Sequence, residues 1–91
     1  MSNCIMLVGK IKEIKNDGID LEVNSLYKNQ DGEYEKSIIP IKIFENLIGK
    51  IHEYCDVGSI AGIRGFVKTE NENIIIIADK VTFLSSKKDN E

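Results

Sequence analysis

Apolar residues recur with period two over most of this chain, and the places where that period breaks divide it into elements. From Cys4 to Ile14, Ile5, Leu7, Gly9 and Ile11 fall on one side of an extended strand, with Met6, Val8, Lys10 and Lys12 on the other. Asn16-Asp17-Gly18 is a turn signal, because Asn and Asp tolerate left-handed backbone and Gly adopts it without a Cβ penalty. A second strand then runs from Ile19 to about Tyr27, with Ile19, Leu21 and Val23 inward and Asp20, Glu22 and Asn24 outward. Residues 28–33 form a polar loop with Asp-Gly turn chemistry, and a third strand is expected from Tyr34 to Phe44. Its Pro40 cannot donate to a ladder, so the strand must be an edge or bulged there, or must point that missing donor out of the sheet.

Between Glu45 and Cys55 the spacing changes. Leu47, Ile48, Ile51, Tyr54 and Cys55 lie three or four apart, which predicts one short amphipathic helix with Asn46 as a candidate cap. After Gly58 the period of two returns in a fourth strand, Ile60 to Lys68, a turn over 69–73, and a fifth strand, Ile74 to Leu84. Residues 85–91 read as a short polar tail that frays, leaving 1–84 as the folded domain. Three strands, a helix and a two-strand hairpin is the element order of an all-β, five-stranded Greek-key OB-fold barrel with one short helix between strands 3 and 4. Small SH3-like barrels are the main competitor, but they lack a helix of this length at that position.

Composition agrees with strands and narrows the chemistry. Sixteen Ile and five Val stand against five Leu, a β-branched excess. At 91 residues there is room for one domain, burying only about 60–65% of its unfolded surface. Cys4 and Cys55 are too few for a disulfide framework, and a reducing compartment is expected. No positive charge precedes the first apolar run, which is too short for a leader core or a membrane span, so the expected location is the cytoplasm, away from membranes. The net charge of −3 supplies no global basic field, and any nucleic-acid binding must use a local patch. Eleven Lys against one Arg, with abundant Ile, Asn and Glu, suggests an AT-rich genome and says nothing of function.

Enzymatic and metal readings fail on residue type. One His excludes Ser-His-Asp and Cys-His machinery, and Asp20 with Glu22 on one strand face reads as solvated rather than as an acid/base pair. His52 and Cys55, three apart on the helix, offer two metal ligands where a site needs more. Gly62 and Gly65 lack the spacing and the following helix of a phosphate loop. No catalytic residue, metal or cofactor is therefore expected.

Several segments carry a family resemblance. Asn3 to Ile11 resembles the opening strand of bacterial single-stranded-DNA-binding proteins. Ile41-Lys-Ile-Phe44, the helix ending in Glu53-Tyr-Cys55, Val57-Gly-Ser59 and Ile63-Arg-Gly-Phe-Val67 look like that family's third strand, helix and fourth strand, and Ala78 to Leu84 is similar to its closing strand. The resemblance covers almost the whole chain and implies an OB fold that binds single-stranded DNA without strong sequence preference, usually as a homo-oligomer. This sequence departs from the family twice. The family's strongest stacking positions are often Trp, and there is none here: Tyr27 falls near one such position, Ile38 occupies another, and the 69–73 hairpin is too short for a third. The family's long tail with an acidic, apolar tip is also not expected, which puts recruitment of partners through such a tip in doubt.

Sequence-tolerant binding of a single strand needs rings for bases to stack on and cations that follow the phosphates. On the third strand Ile39, Ile41 and Ile43 form the more consistent core stripe, so Lys42 and Phe44 are expected to face outward together with Ile38 and Pro40. The loop between strands 2 and 3 adds Tyr27, Lys28, Tyr34 and Lys36, and strand 4 adds Arg64, Phe66 and Lys68 at period two. Phe44 and Phe66 equally suit a core or interface role, because small barrels need large apolar side chains. Tyr27 and Tyr34, in a polar Lys-bearing loop, have less packing reason to be there. Asp20 and Glu22 oppose binding by local repulsion of phosphate.

Two strands are apolar on both faces, Cys4 to Val8 and Ile74 to Ile77, where a lone barrel needs one apolar face. A homodimer or homotetramer accounts for the excess. Two functions follow. One is non-catalytic binding of single-stranded DNA, or RNA, in replication or repair. The alternative is an OB-fold interaction module, resembling the dimeric primosomal replication proteins, whose main ligand is a replication protein.

Overall fold

Five strands close into a barrel in the computed structural model, which describes residues 3–84. The elements are β1 (Ile5–Ile14), β2 (Gly18–Lys28), β3 (Tyr34–Ile43), α1 (Glu45–Tyr54), β4 (Ile60–Glu70) and β5 (Asn73–Phe83). Around the barrel the order is β1-β2-β3-β5-β4, with β4 returning to β1. Every pairing is antiparallel except β3 with β5, which run parallel over Ile41↔Ile76 to Ile43↔Ala78. This is the OB-fold arrangement expected from the element order, with the helix between β3 and β4. The tail expected at 85–91 lies outside the described residues.

Alternation puts the predicted inward residues inside. Ile11, Ile19, Leu21, Ile41, Ile43, Ala61, Ile63 and Ala78 are buried, and α1 adds Ile51 and Cys55 to the same core. Leu7, Val23 and Ile39 pack against its margin. The loop after α1 is tied to β1, whose Ile11 N–H donates to the Ser59 carbonyl (2.8 Å) and whose Ile11 carbonyl accepts from Gly58 N–H (2.8 Å).

A barrel this small requires backbones to cross closely, and two glycines permit it. A Cβ on Gly9 would run into the carbonyl oxygen of Glu22, and one on Gly65 into that of Ile77. Gly65 also adjoins a bulge: Arg64 pairs with Lys80 and Gly65 with Ala78, leaving Asp79 as the extra residue. Pro40 pairs with Asp20 on β2, one residue before the β5 pairing begins, so β3 has an open edge where its proline stands.

Three local expectations are corrected. β3 ends at Ile43, and Phe44 is the residue preceding the helix, its carbonyl accepting from Leu47 N–H (2.8 Å) and Ile48 N–H (3.2 Å). Asn46 is consequently inside the first turn and does not cap it; no side chain does. The β4–β5 turn is only Asn71-Glu72, because Thr69 and Glu70 pair with Ile74 and Asn73. Both turn residues have positive φ (52° and 68°), the signature of a two-residue hairpin whose twist matches its strands.

Candidate nucleic-acid interface

The residues singled out from the sequence, Arg64 excepted, fall into two groups on the outer surface. The first lies where β3, β4 and β5 meet. Strand register sets Lys42 beside Ile77 and Ile77 beside Phe66, all on the outward side of their strands. Phe44 and Phe66 form an edge-to-face pair, with centroids 6.2 Å apart and planes at 65°. Neither belongs to the core: Phe44 is 42% exposed and Phe66 is half-buried. Lys68, two residues along β4, completes this group.

Arg64 shares the outward side of β4 but stands beside Met6 of β1 and Lys80 of β5, further round the barrel. The bulge that leaves Asp79 unmatched brings its carboxylate to the Arg64 Nε at 3.2 Å.

The second group is carried by the β2–β3 arm. Between Asn24↔Lys36 and Lys28↔Tyr34 three residues of β2 oppose one of β3, and this irregularity throws out Leu26 (85% exposed) and Tyr27 (79% exposed). The Ser25 hydroxyl holds the bulge, accepting from Tyr27 N–H (3.2 Å) and donating to the Tyr27 carbonyl (3.0 Å). Lys28 Nζ sits 5.8 Å from the centre of the Tyr34 ring. At the tip, the Asn29 side-chain oxygen accepts from Asp31 N–H and Glu33 N–H, and Gly32 takes φ of 79°.

The two groups are joined by β3 itself. Tyr34, Lys36, Ile38, Pro40 and Lys42 alternate on its outward side and Phe44 follows, a stripe roughly 34 Å long at strand rise. Ile38, half exposed, is the apolar step between the tyrosine end and the phenylalanine end.

Beside the stripe lies a cleft of about 240 Å³ lined by Lys15, Asp17, Asp20, Pro40, Lys42 and Ile75, among others. Lys15 is a cation the sequence did not reveal as part of the site: it precedes the β1–β2 turn and reaches Asp20 at 3.1 Å. Its hydrogen bond to Asp20, and then the charge of Asp20, hold its pKa above the usual lysine value. The repulsion expected from Asp20 is thus compensated locally. Glu22 faces a second opening with Lys10, Asn24 and Lys36. Nearer the hairpin tip, Glu70 lies 3.8 Å from Lys42 Nζ and 3.7 Å from Lys68 Nζ. Nothing in the local sequence pairs Glu70 with Lys42; the contact exists because β5 brings β3 and β4 to its two sides.

Among the described residues no group of three or more His, Cys, Asp or Glu could hold a metal ion, and no helix is long and apolar enough to cross a membrane.

No protein-family model matches the chain. Curated relatives do match, among them two proteins of Staphylococcus aureus. Single-stranded DNA-binding protein 1 of Staphylococcus aureus strain Mu50 is 34% identical over 80 residues, covering 78% of this chain and 51% of the relative. Single-stranded DNA-binding protein 2 of the same strain is 30% identical over 106 residues, covering 96% of this chain and 75% of the relative. The chain thus spans about half the length of the first of these relatives. Among solved structures, the Plasmodium falciparum SSB in complex with ssDNA superposes with a TM-score of 0.73 at 17% identity, covering 93% of this chain and 96% of that one, a likeness of fold.

Proposed function

The chain belongs to the single-stranded-DNA-binding protein family, and from that premise we propose that it binds single-stranded DNA along the outward stripe of β3, non-catalytically and with little sequence preference. The observation that carries the proposal is the continuity of that stripe. Tyr34, Ile38, Phe44 and the adjoining Phe66 alternate with Lys36, Lys42 and Lys68, so rings and cations come at intervals a flexible strand can follow. Base stacking on such rings is worth about 1–3 kcal/mol per base and tolerates any base. Tyr27 and Lys28 extend the contact onto the arm, and Arg64 lies at its far margin.

Weak, salt-sensitive affinity follows from the electrostatics. The net charge is −3, and four cations near the stripe already face a carboxylate of the same chain. Fluorescence-polarisation titration with labelled oligo-dT at two salt concentrations tests the proposal. Affinity should fall with salt, and fall further in the Tyr27→Ala/Lys42→Ala double variant. No binding at tens of micromolar at low salt refutes it. A protein ligand from a replication complex would then be the reading to pursue.

A homo-oligomer belongs to the same proposal. Met6 (77% exposed) and Val8 (62%) stand out from β1, and Gly62 of β4 lies between Val8 and Leu84, so apolar side chains are exposed together here. Light scattering that returns a monomer at micromolar concentration refutes it. Function in the cytoplasm, in replication or repair, completes the reading.

A further inference from the structure

Glu70 is placed unlike any other described acid of this protein. Its carboxylate lies between two lysines from different strands, Oε1 at 3.8 Å from Lys42 of β3 and Oε2 at 3.7 Å from Lys68 of β4. The other two ion-paired acids near the stripe each serve one cation at closer range: Asp20 holds Lys15 at 3.1 Å and Asp79 holds Arg64 at 3.2 Å. The Glu70 contacts are longer than hydrogen bonds, all three side chains are close to half exposed, and Glu70 is the last residue of β4, beside the Asn71-Glu72 turn. The carboxylate is therefore central but loosely held.

A phosphodiester carries one negative charge and two free oxygens, as a carboxylate does, and Lys42 with Lys68 is the pair of cations a phosphate would use to cross from β3 to β4. Resting on the single-strand reading above, we propose that Glu70 is a built-in competitor for phosphate, occupying the Lys42–Lys68 site in the free protein and yielding it when a strand binds. The exchange makes the site selective. A phosphate gains both lysines only by displacing Glu70, so an isolated anion gains little. A strand whose bases are also stacked on Phe44 and Phe66 pays that cost from its other contacts. Glu70 also stays within reach of the site during binding, where its return to the lysines speeds release.

Oligo-dT titrations over a range of salt test this with five proteins, each first shown to melt cooperatively: wild type, Glu70→Gln, Glu72→Gln, Lys42→Gln/Lys68→Gln, and that double variant with Glu70→Gln added. Glu72 is two residues away on the turn and has no ion pair among the described residues, so its variant makes the same charge change without vacating the site. Glu70→Gln should tighten binding about fivefold at low salt, by the weight of a surface ion pair. It should also steepen the log-log salt dependence by about 0.7 to 1.4, for one or two freed lysines. Glu72→Gln should change affinity less than about twofold, since exposed charges are screened over such distances. In the double-lysine background Glu70→Gln should have no effect. Equal tightening by both glutamines, or an effect that survives without the lysines, overturns the competitor role. Wild type that binds while Glu70→Gln matches it sinks this inference alone, and failure of every variant to bind removes the single-strand reading with it.

Discussion

The barrel face and the β2–β3 arm carry the same residue types, rings and lysines, yet hold them by opposite means. On the barrel, Lys42 and Arg64 stand where their strands are paired on both sides and Lys68 on the β4–β5 ladder, and each faces a carboxylate of the same chain. On the arm, Lys28 and Lys36 have no ion pair among the described residues, and Lys28 leans over the Tyr34 ring instead. The arm is held by one ladder, one Ser-stabilised bulge and one Asn-capped turn. Free cations on a projecting arm suit first capture of phosphates; compensated cations around a packed ring pair suit a slower, more discriminating contact.

The sharpest contrast is in stability. Ile11 is fully buried at the centre of the core, and Ile11→Ala should cost about 2–5 kcal/mol, the range for deleting a large aliphatic side chain with partial collapse of the cavity. Leu26 is 85% exposed, and Leu26→Ala should leave stability within about 0.5 kcal/mol. Urea denaturation measures both. A large loss at Leu26 would mean that the arm is covered in solution, and the contrast between the regions would fail.

Binding should divide less steeply but in a diagnostic way. Tyr34→Ala and Phe66→Ala should each weaken oligo-dT binding by about 1–3 kcal/mol if each stacks one base. Only Phe66→Ala should also lower the melting temperature, because Phe66 is half-buried and packs on Phe44 whereas Tyr34 is 56% exposed. Parallel titration and thermal melting separate the two effects. A Tyr34→Ala protein that binds like wild type would confine the interface to the barrel.

What the sequence revealed and what it hid follow the same division. Period two in Ile19-Leu21-Val23 and Ile39-Ile41-Ile43 is a local signal, so strands, faces and core could be read directly, and element order then sufficed for the barrel. The outward stripe of β3 was legible for the same reason. Lys15 against Asp20, Asp79 against Arg64 and Glu70 between Lys42 and Lys68 were not, because each depends on strand register, a bulge or barrel closure. The cap is expected at Asn46 because Asn is a favoured cap, whereas the end of β3 sets it two residues earlier, at Phe44, which has no capping side chain. Reading Phe44 and Phe66 as either core or surface was likewise settled only by which strands flank them.

Salt dependence should expose the difference between free and compensated lysines. For single strands each phosphate neutralised contributes about 0.7 to the log-log slope, so Lys28→Gln and Lys36→Gln should each flatten it by about that amount. Lys42→Gln should flatten it by less than about half as much, since Glu70 already screens that charge and remains to oppose phosphate. Titrations at four or more salt concentrations decide this, and equal slopes for arm and barrel variants would remove the distinction.

The smallest expected effects lie at the two hairpin ends, where the regions can be compared by backbone alone. The arm tip places Gly32 at φ 79° with no atom within 4 Å of where a Cβ would stand, so Gly32→Ala meets no clash and should cost only the left-handed penalty, about 1 kcal/mol. The β4–β5 turn has the opposite history: Glu72 holds φ of 68° where two-residue turns of this hand favour Gly. Glu72→Gly should therefore stabilise the protein, by about 0.5–1 kcal/mol, since relief of backbone strain exceeds the added freedom of the unfolded chain. Both shifts are small enough to require denaturant midpoints at constant m-value rather than melting temperatures alone. If Glu72→Gly destabilises instead, the Glu72 side chain has a role in this turn that its backbone geometry does not reveal.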